Sequence, residues 1–203
     1  MSGIKHGKEN KKEENAKPDI HTGWMWLALG GPPGKTVAWY EYHASRAGEH
    51  AADFLKGYSG YLQTDGYGGY DTAVKGIPGI IHVGCFAHAR RKFFEASKTA
   101  QKPQSAEEGI KHIRKLYEIE NRLRSENLSE EAFVKKRKAE AEPALEQFKS
   151  WLLKRAGEIP HVFCEHECSA NTRSLLGTAV NYTLNQWDKI MRTKVRRIWE
   201  AVT

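Results

Sequence analysis

Five consecutive residues, Asp65-Gly66-Tyr67-Gly68-Gly69, constrain this chain more than any other stretch. They follow Tyr61-Leu62-Gln63-Thr64, which reads as a short buried strand ending at the acid. Gly66, Gly68 and Gly69 then permit a tight exit into a helix. An acid at a strand end, beside residues with no side chain to obstruct a substrate, is placed to hold a divalent cation. The same Asp-Gly pair can also cap a turn, so the local sequence leaves both roles open. A second strand-to-helix passage follows, with Ile80 to Val83 as the strand and Cys85 to Phe94 opening an amphipathic helix. That helix carries Arg90, Arg91 and Lys92 just ahead of Phe93 and Phe94.

The flanking sequence extends this pattern. Residues Met1 to Asp19 contain almost nothing apolar and read as a disordered tail. Gly23 to Leu29 is a continuous apolar run, Gly30-Gly-Pro-Pro-Gly34 is a turn, and Thr36 to His43 is aromatic and β-branched. These predict a hairpin, with Trp24, Trp26, Trp39, Tyr40 and Tyr42 in core and cross-strand packing. Ala47 to Leu55 changes to helical period, and a short helix is expected over Tyr70 to Val74. From Glu107 onward the apolar spacing is helical. Ser129 is a candidate cap, Pro143 a kink or fresh start, and Leu176 to Ile190 one last helix. The order is mixed α/β.

Composition narrows the partners. Lys and Arg exceed Asp and Glu by seven, giving a net charge of +7 that favours a polyanionic partner. Three cysteines, an odd number, argue against a disulfide framework and for a reducing cytoplasm. Neither a membrane span nor a secretory signal is expected, because no long apolar run occurs and the Lys-rich start lacks an apolar segment.

Four segments carry a resemblance to a known family: Trp39-Tyr-Glu-Tyr-His43, Gly57 to Tyr70, Val83 to Phe94 and Leu175 to Trp187. Over about Trp24 to Met191 the chain resembles transposases of the insertion sequence 66 family, DNA-cutting and strand-transferring enzymes of the DDE class. The resemblance implies an α/β, ribonuclease H-like fold that lacks its first strand and carries an α-helical insertion. It divides the chain into a tail (1–22), a partial transposase core (23–100), a helical insertion (101–160), and a segment with the final helix and a divergent tail (161–203). It also implies a DNA partner, transposon ends, in the cytoplasm at the nucleoid, together with a second copy of the chain or an intact transposase.

In such enzymes three carboxylates hold two divalent cations, Mg²⁺ or Mn²⁺. By resemblance Asp65 is the second of the three. The first belongs to an Asp-Glu-Thr segment, which Asp19 does not match. The third belongs with paired asparagines after the last helix, where Thr193 to Thr203 offers only an unmatched Glu200. The expectation is therefore a truncated, inactive copy, needing Mg²⁺ or Mn²⁺ only if active. The alternative is a non-catalytic DNA-binding or regulatory fragment. A third outcome is a product that does not fold, because a lost strand exposes a sheet edge.

Arg90, Arg91 and Lys92 are the candidate phosphate contacts. Lys135 to Lys138, flanked by Glu130, Glu131, Glu140 and Glu142, reads instead as a solvated helix face. Cys85 and His88, spaced Cys-x-x-His, are candidate zinc ligands, with Cys164, His166 and Cys168 able to complete a tetrahedral set. The competing reading makes Cys85 a small buried side chain and His88 a hydrogen-bonded structural residue.

Overall fold

The computed structural model describes residues 22–31, 35–99, 103–158 and 174–192. Strands β1 (Trp24–Gly30) and β2 (Val37–His43) pair antiparallel from Trp24 opposite His43 to Gly30 opposite Val37. Helix α1 (Gly48–Phe54) leads to β3 (Gly60–Thr64). Helix α2 (Gly68–Lys75) then crosses over to β4 (Ile80–Gly84). Strands β3 and β4 run parallel, with Gly60 opposite Ile80 and Thr64 opposite Gly84. A parallel pair needs such a crossover, because a tight turn can only reverse the chain. The mixed α/β character matches the sequence pattern, but the described strands form two separate two-stranded sheets.

Helices make up the rest: α3 (Phe86–Thr99), α4 (Gln104–Ser125), α5 (Glu130–Glu158), α6 (Leu175–Asn185) and α7 (Trp187–Met191). All five contribute to one hydrophobic core. It includes Phe86, Ala89 and Phe93 of α3, Ile113 and Leu116 of α4, Phe148 and Leu152 of α5, Val180 of α6, and Trp187 and Ile190 of α7. Phe148 is the aromatic hub, with ring centroids 6.3 Å from Phe93, 6.1 Å from Trp151 and 5.9 Å from Trp187. Gly109 lets α4 approach α3, since a Cβ there would lie 2.7 Å from the Phe93 ring. No helix among the described residues is long and apolar enough to cross a membrane.

Several expectations need correcting. Pro143 lies inside the single helix α5 and does not start a new one. Proline removes one helical donor and crowds the preceding turn, yet buried Ala141, Ala144 and Leu145 anchor the helix on both sides of it. The last helix is broken at Gln186, whose backbone (φ −92, ψ 0) separates α6 from α7. Helix α2 starts at Gly68, earlier than expected, so two of the three glycines lie within it. Trp39, Tyr40 and Tyr42 are 57%, 64% and 62% exposed, so they are not core. Tyr40 and Tyr42 share a bare hairpin face with Leu27 and Met25, which no described residue covers. The opposite face does pack: Trp26 meets Tyr70 edge-on at 5.5 Å and Tyr67 at 6.3 Å. Ser129 acts as expected, its hydroxyl accepting the Ala132 N–H at 3.3 Å to cap α5.

One ion pair is buried within the helices. Arg137 of α5 places Nε 2.8 Å from Glu120 Oε2 of α4, and both side chains are almost fully enclosed. Arg124 Nε donates to the other Glu120 oxygen at 3.0 Å. Burial pulls the Arg137 guanidinium below its usual pKa, and the Glu120 charge opposes that pull. Removing one partner leaves a buried charge uncompensated, which costs about 3–5 kcal/mol. Glu120→Ala should therefore lower the unfolding free energy measured in urea by that amount. A loss within the roughly 1 kcal/mol of an exposed pair would show that water reaches Arg137.

Candidate functional site

Asp65 is the first residue beyond β3, and its side chain is 39% exposed. Its Oδ1 accepts the backbone N–H of Tyr67 at 3.0 Å, so the turn-capping role is real. Its Oδ2 lies 3.8 Å from the Arg46 guanidinium, in the loop before α1. That guanidinium also lies 3.9 Å above the Tyr67 ring, while the Tyr67 hydroxyl donates to the Arg46 carbonyl. The Asp65 carbonyl in turn accepts the Tyr182 hydroxyl from α6. Three separate segments thus hold one corner of the chain.

A polar network lies behind that corner. His82, buried on β4, places Nε2 2.8 Å from the Thr64 hydroxyl and Nδ1 3.2 Å from Asp71 Oδ1 on α2. An ionised carboxylate only accepts, so Nδ1 carries the proton and Nε2 accepts from Thr64. Lys189 of α7 reaches both Asp71 oxygens, at 2.6 and 2.7 Å. Arg192 donates to the His82 carbonyl at 3.3 Å. Burial pushes the His82 pKa down, the Lys189 charge adds to this, and Asp71 opposes it.

The basic helix shares the neighbourhood of Asp65. Arg90 and Arg91 are exposed, Lys92 is half-buried, and Phe93 is the buried anchor. Phe94, at 43% exposure, is not. His88 is half-buried, and its Nδ1 is enclosed without a hydrogen-bond partner. Burial pushes its pKa down; Asp65 pulls it up, while Arg91 and Lys92 push it further down. All three charges therefore lie close enough to act on one imidazole. Burial and the Asp65 charge also push the Tyr182 hydroxyl up to about 12, so it stays protonated and able to donate.

Metal binding can be tested against this geometry. Both Asp65 oxygens are engaged, and the nearest charged group is a cation. Among the described residues no group of three or more His, Cys, Asp or Glu could hold a metal ion. The described residues therefore do not fit a two-cation site, nor do Cys85 and His88 complete a zinc site there. Asp19, Cys164, His166, Cys168 and Glu200 lie outside the described residues. The solvated-face reading of Lys135–Lys138 holds for exposed Lys135, Lys136 and Lys138, with Lys136 paired to Glu126 at 2.7 Å, but fails at Arg137, which is buried against Glu120.

Sequence reasoning missed Arg46, Tyr182 and the Asp71–His82–Lys189 network. Arg46 sits in a loop with no periodic signal. Tyr182 lies in the Leu175–Trp187 segment that carries part of the family resemblance, the one signal that could have found it.

The His82 geometry has a consequence for pH. Its folded pKa is depressed, so just below the ordinary histidine value of about 6.5 the unfolded chain binds more protons. Stability from this group is then complete above that pH and is lost as the pH falls through it. Melting temperatures measured from about pH 8 down to pH 5 should decline below 6.5, and His82→Gln should flatten that decline. Equal slopes for the two proteins would place the titration elsewhere.

Three curated proteins of Sinorhizobium fredii (strain NBRC 101917 / NGR234) are similar to this chain. Uncharacterized protein y4hP is 34% identical over 203 residues, covering 90% of this chain and 34% of that protein. Uncharacterized protein y4jD is 28% identical over 160 residues, covering 76% and 29%. Uncharacterized protein y4qI is also 28% identical over 160 residues, covering 70% and 29%. The chain thus spans about a third of the length of the curated relatives it matches. No solved structure matches it. The family model described as Transposase IS66 family matches residues 9–197, nearly the whole sequence. The chain belongs to the IS66 family of transposases.

Proposed function

We propose that this chain is a transposase-derived DNA-binding core that does not cut or join DNA by itself. The observation that carries the reading is the contact of α3 with the Asp65 corner, where Lys92 lies 4.9 Å from the Tyr182 ring whose hydroxyl donates to the Asp65 carbonyl. Exposed Arg90 and Arg91 neutralise backbone phosphates, which gives sequence-independent, salt-sensitive affinity. The duplex this core meets in the cell is transposon-end DNA, so it works at the nucleoid, beside a second copy or an intact family member.

On this reading the hairpin β1–β2 and the parallel pair β3–β4 are the central part of a ribonuclease H-like sheet, and Asp65 is its second DDE acid. Support comes from the strand directions and from the acid standing at the end of β3. Two-cation chemistry with Mg²⁺ or Mn²⁺ needs carboxylates that the described residues do not supply. The proposal therefore stops at binding, and the helices from 101 to 160 serve as the family's insertion.

Fluorescence anisotropy with a short duplex tests it. Affinity should fall steeply with salt, and Arg90→Gln/Arg91→Gln should reduce the log–log salt slope by about 2, roughly one unit per lost phosphate contact. A salt-independent affinity would sink the DNA reading. Incubation of supercoiled plasmid with Mg²⁺ or Mn²⁺ should leave it intact, and nicking that Asp65→Asn abolishes would restore a catalytic role.

A further inference from the structure

We infer that Tyr182 is a positioning residue that sets the Asp65 corner and the basic helix α3 in a single register. Only the role given to α3 rests on the DNA-binding reading. The β3–β4 ladder ends at Thr64 opposite Gly84, so the next carbonyl, that of Asp65, lies beyond the last paired position. A carbonyl partly shielded from water still needs a donor. The Tyr182 hydroxyl, 117 residues later in the chain, supplies the donor.

The same side chain serves a second contact. Lys92 of α3 places its ammonium 4.9 Å from the centroid of the Tyr182 ring, within range of a cation–π attraction. One aromatic therefore touches the acid-bearing corner through its hydroxyl and the basic helix through its face. Helix α3 cannot slide along its axis without moving Lys92 off the ring. The Asp65 corner cannot lift without breaking the hydroxyl contact.

The end of α6 closes down on the corner so tightly that only glycine fits. Gly66 has φ +85, and a Cβ there would lie 2.9 Å from the Tyr182 hydroxyl and 3.0 Å from the Gln186 carboxamide carbon. Gln186 is 9% exposed, and its Oε1 is enclosed without a partner. A buried acceptor left unpaired is expensive, so packing against Gly66, not hydrogen bonding through that oxygen, holds this side chain in place. Tyr182 and Gln186, four residues apart, fall on the same face of the turn that covers Gly66.

Hydrogen exchange on the 203-residue chain, followed by mass spectrometry, tests the corner. Tyr182→Phe keeps the ring and removes only the hydroxyl. It should raise exchange of the 65–70 amides roughly tenfold, the effect of losing one ordinary hydrogen bond, while α4 and α5 stay protected. Unchanged exchange at 65–70, or an equal rise everywhere, would overturn the inference. A second arm measures binding of a short duplex at low salt. Tyr182→Leu and Lys92→Gln should each weaken binding about three- to five-fold, the scale of one cation–π contact. The double variant should be no weaker than either single one, and Tyr182→Phe should bind as the unaltered chain does. Additive losses would mean that Lys92 acts independently of the ring. If the unaltered chain binds no duplex, the DNA reading falls and the exchange result alone decides the role of Tyr182. Because Tyr182→Phe is nearly isosteric, the exchange arm stands even if Tyr182→Leu fails to fold.

Discussion

A parallel pair of strands has no hairpin to hold it in register, and a sheet of two strands is marginal in water. In this chain an imidazole supplies what the sheet lacks. His82 reaches Thr64 across the ladder and Asp71 on the crossover helix, and Lys189 fixes Asp71 from α7. Strand β3, strand β4, helix α2 and the end of the helical core thus share one polar junction. Asp65 follows Thr64 directly, so the position of the acid depends on that junction. Such networks are worth more than their separate bonds when every member is paired. Here the imidazole has a partner on each nitrogen.

Helix α3 links this junction to the bulk of the molecule. Its inward face, Phe86, Ala89 and Phe93, is fully committed to the helical core. Its outward face carries Arg90 and Arg91. Successive helical residues are turned by about 100°, so Arg91 points away from the core while Arg90 and Lys92 fall on opposite flanks, Lys92 against Tyr182. The core thereby fixes the direction of the cations without touching them. The hairpin β1–β2 is tied in by ring contacts, Trp26 against Tyr67 and Tyr70, His43 against His50 and Trp39 against Phe54, and no described residue covers its Leu27–Tyr40 face. An apolar face this open on a two-stranded element is unusual for an isolated domain.

The sequence reveals features that arise from local chemistry. Alternating and continuous apolar runs located all four strands, the glycines after Asp65 located the turn, and Ser129 located the start of α5. Three features escaped because competing long-range terms decided them. Pro143 argues locally for a break, but burial of the side chains around it keeps α5 continuous. The apolar spacing from Leu176 to Ile190 runs through Gln186 without a gap, so nothing in the period marks the bend there. Tyr182 and Arg46 meet Asp65 only through the tertiary fold, across separations that no periodicity reports. Trp39, Tyr40 and Tyr42 failed in the other direction, since aromatic content shows that a surface wants burial, and the described residues leave these three largely exposed.

Arg46 bears most directly on what the Asp65 corner can do. A carboxylate awaiting divalent cations is best served by further acids, because each adds attraction for the metal. Here the paired charge is a guanidinium, 3.8 Å from Oδ2. At this exposure the pair contributes less than about 1 kcal/mol, so Arg46 is not locked to the acid. It does cancel the negative charge that would otherwise repel a phosphate backbone approaching Arg90 and Arg91. A neutralised acid beside a basic helix presents a net positive surface, which attracts a polyanion and holds a lone metal ion poorly. On the DNA-binding reading, the balance of charge among the described residues at this corner suits a phosphate backbone better than a lone metal ion.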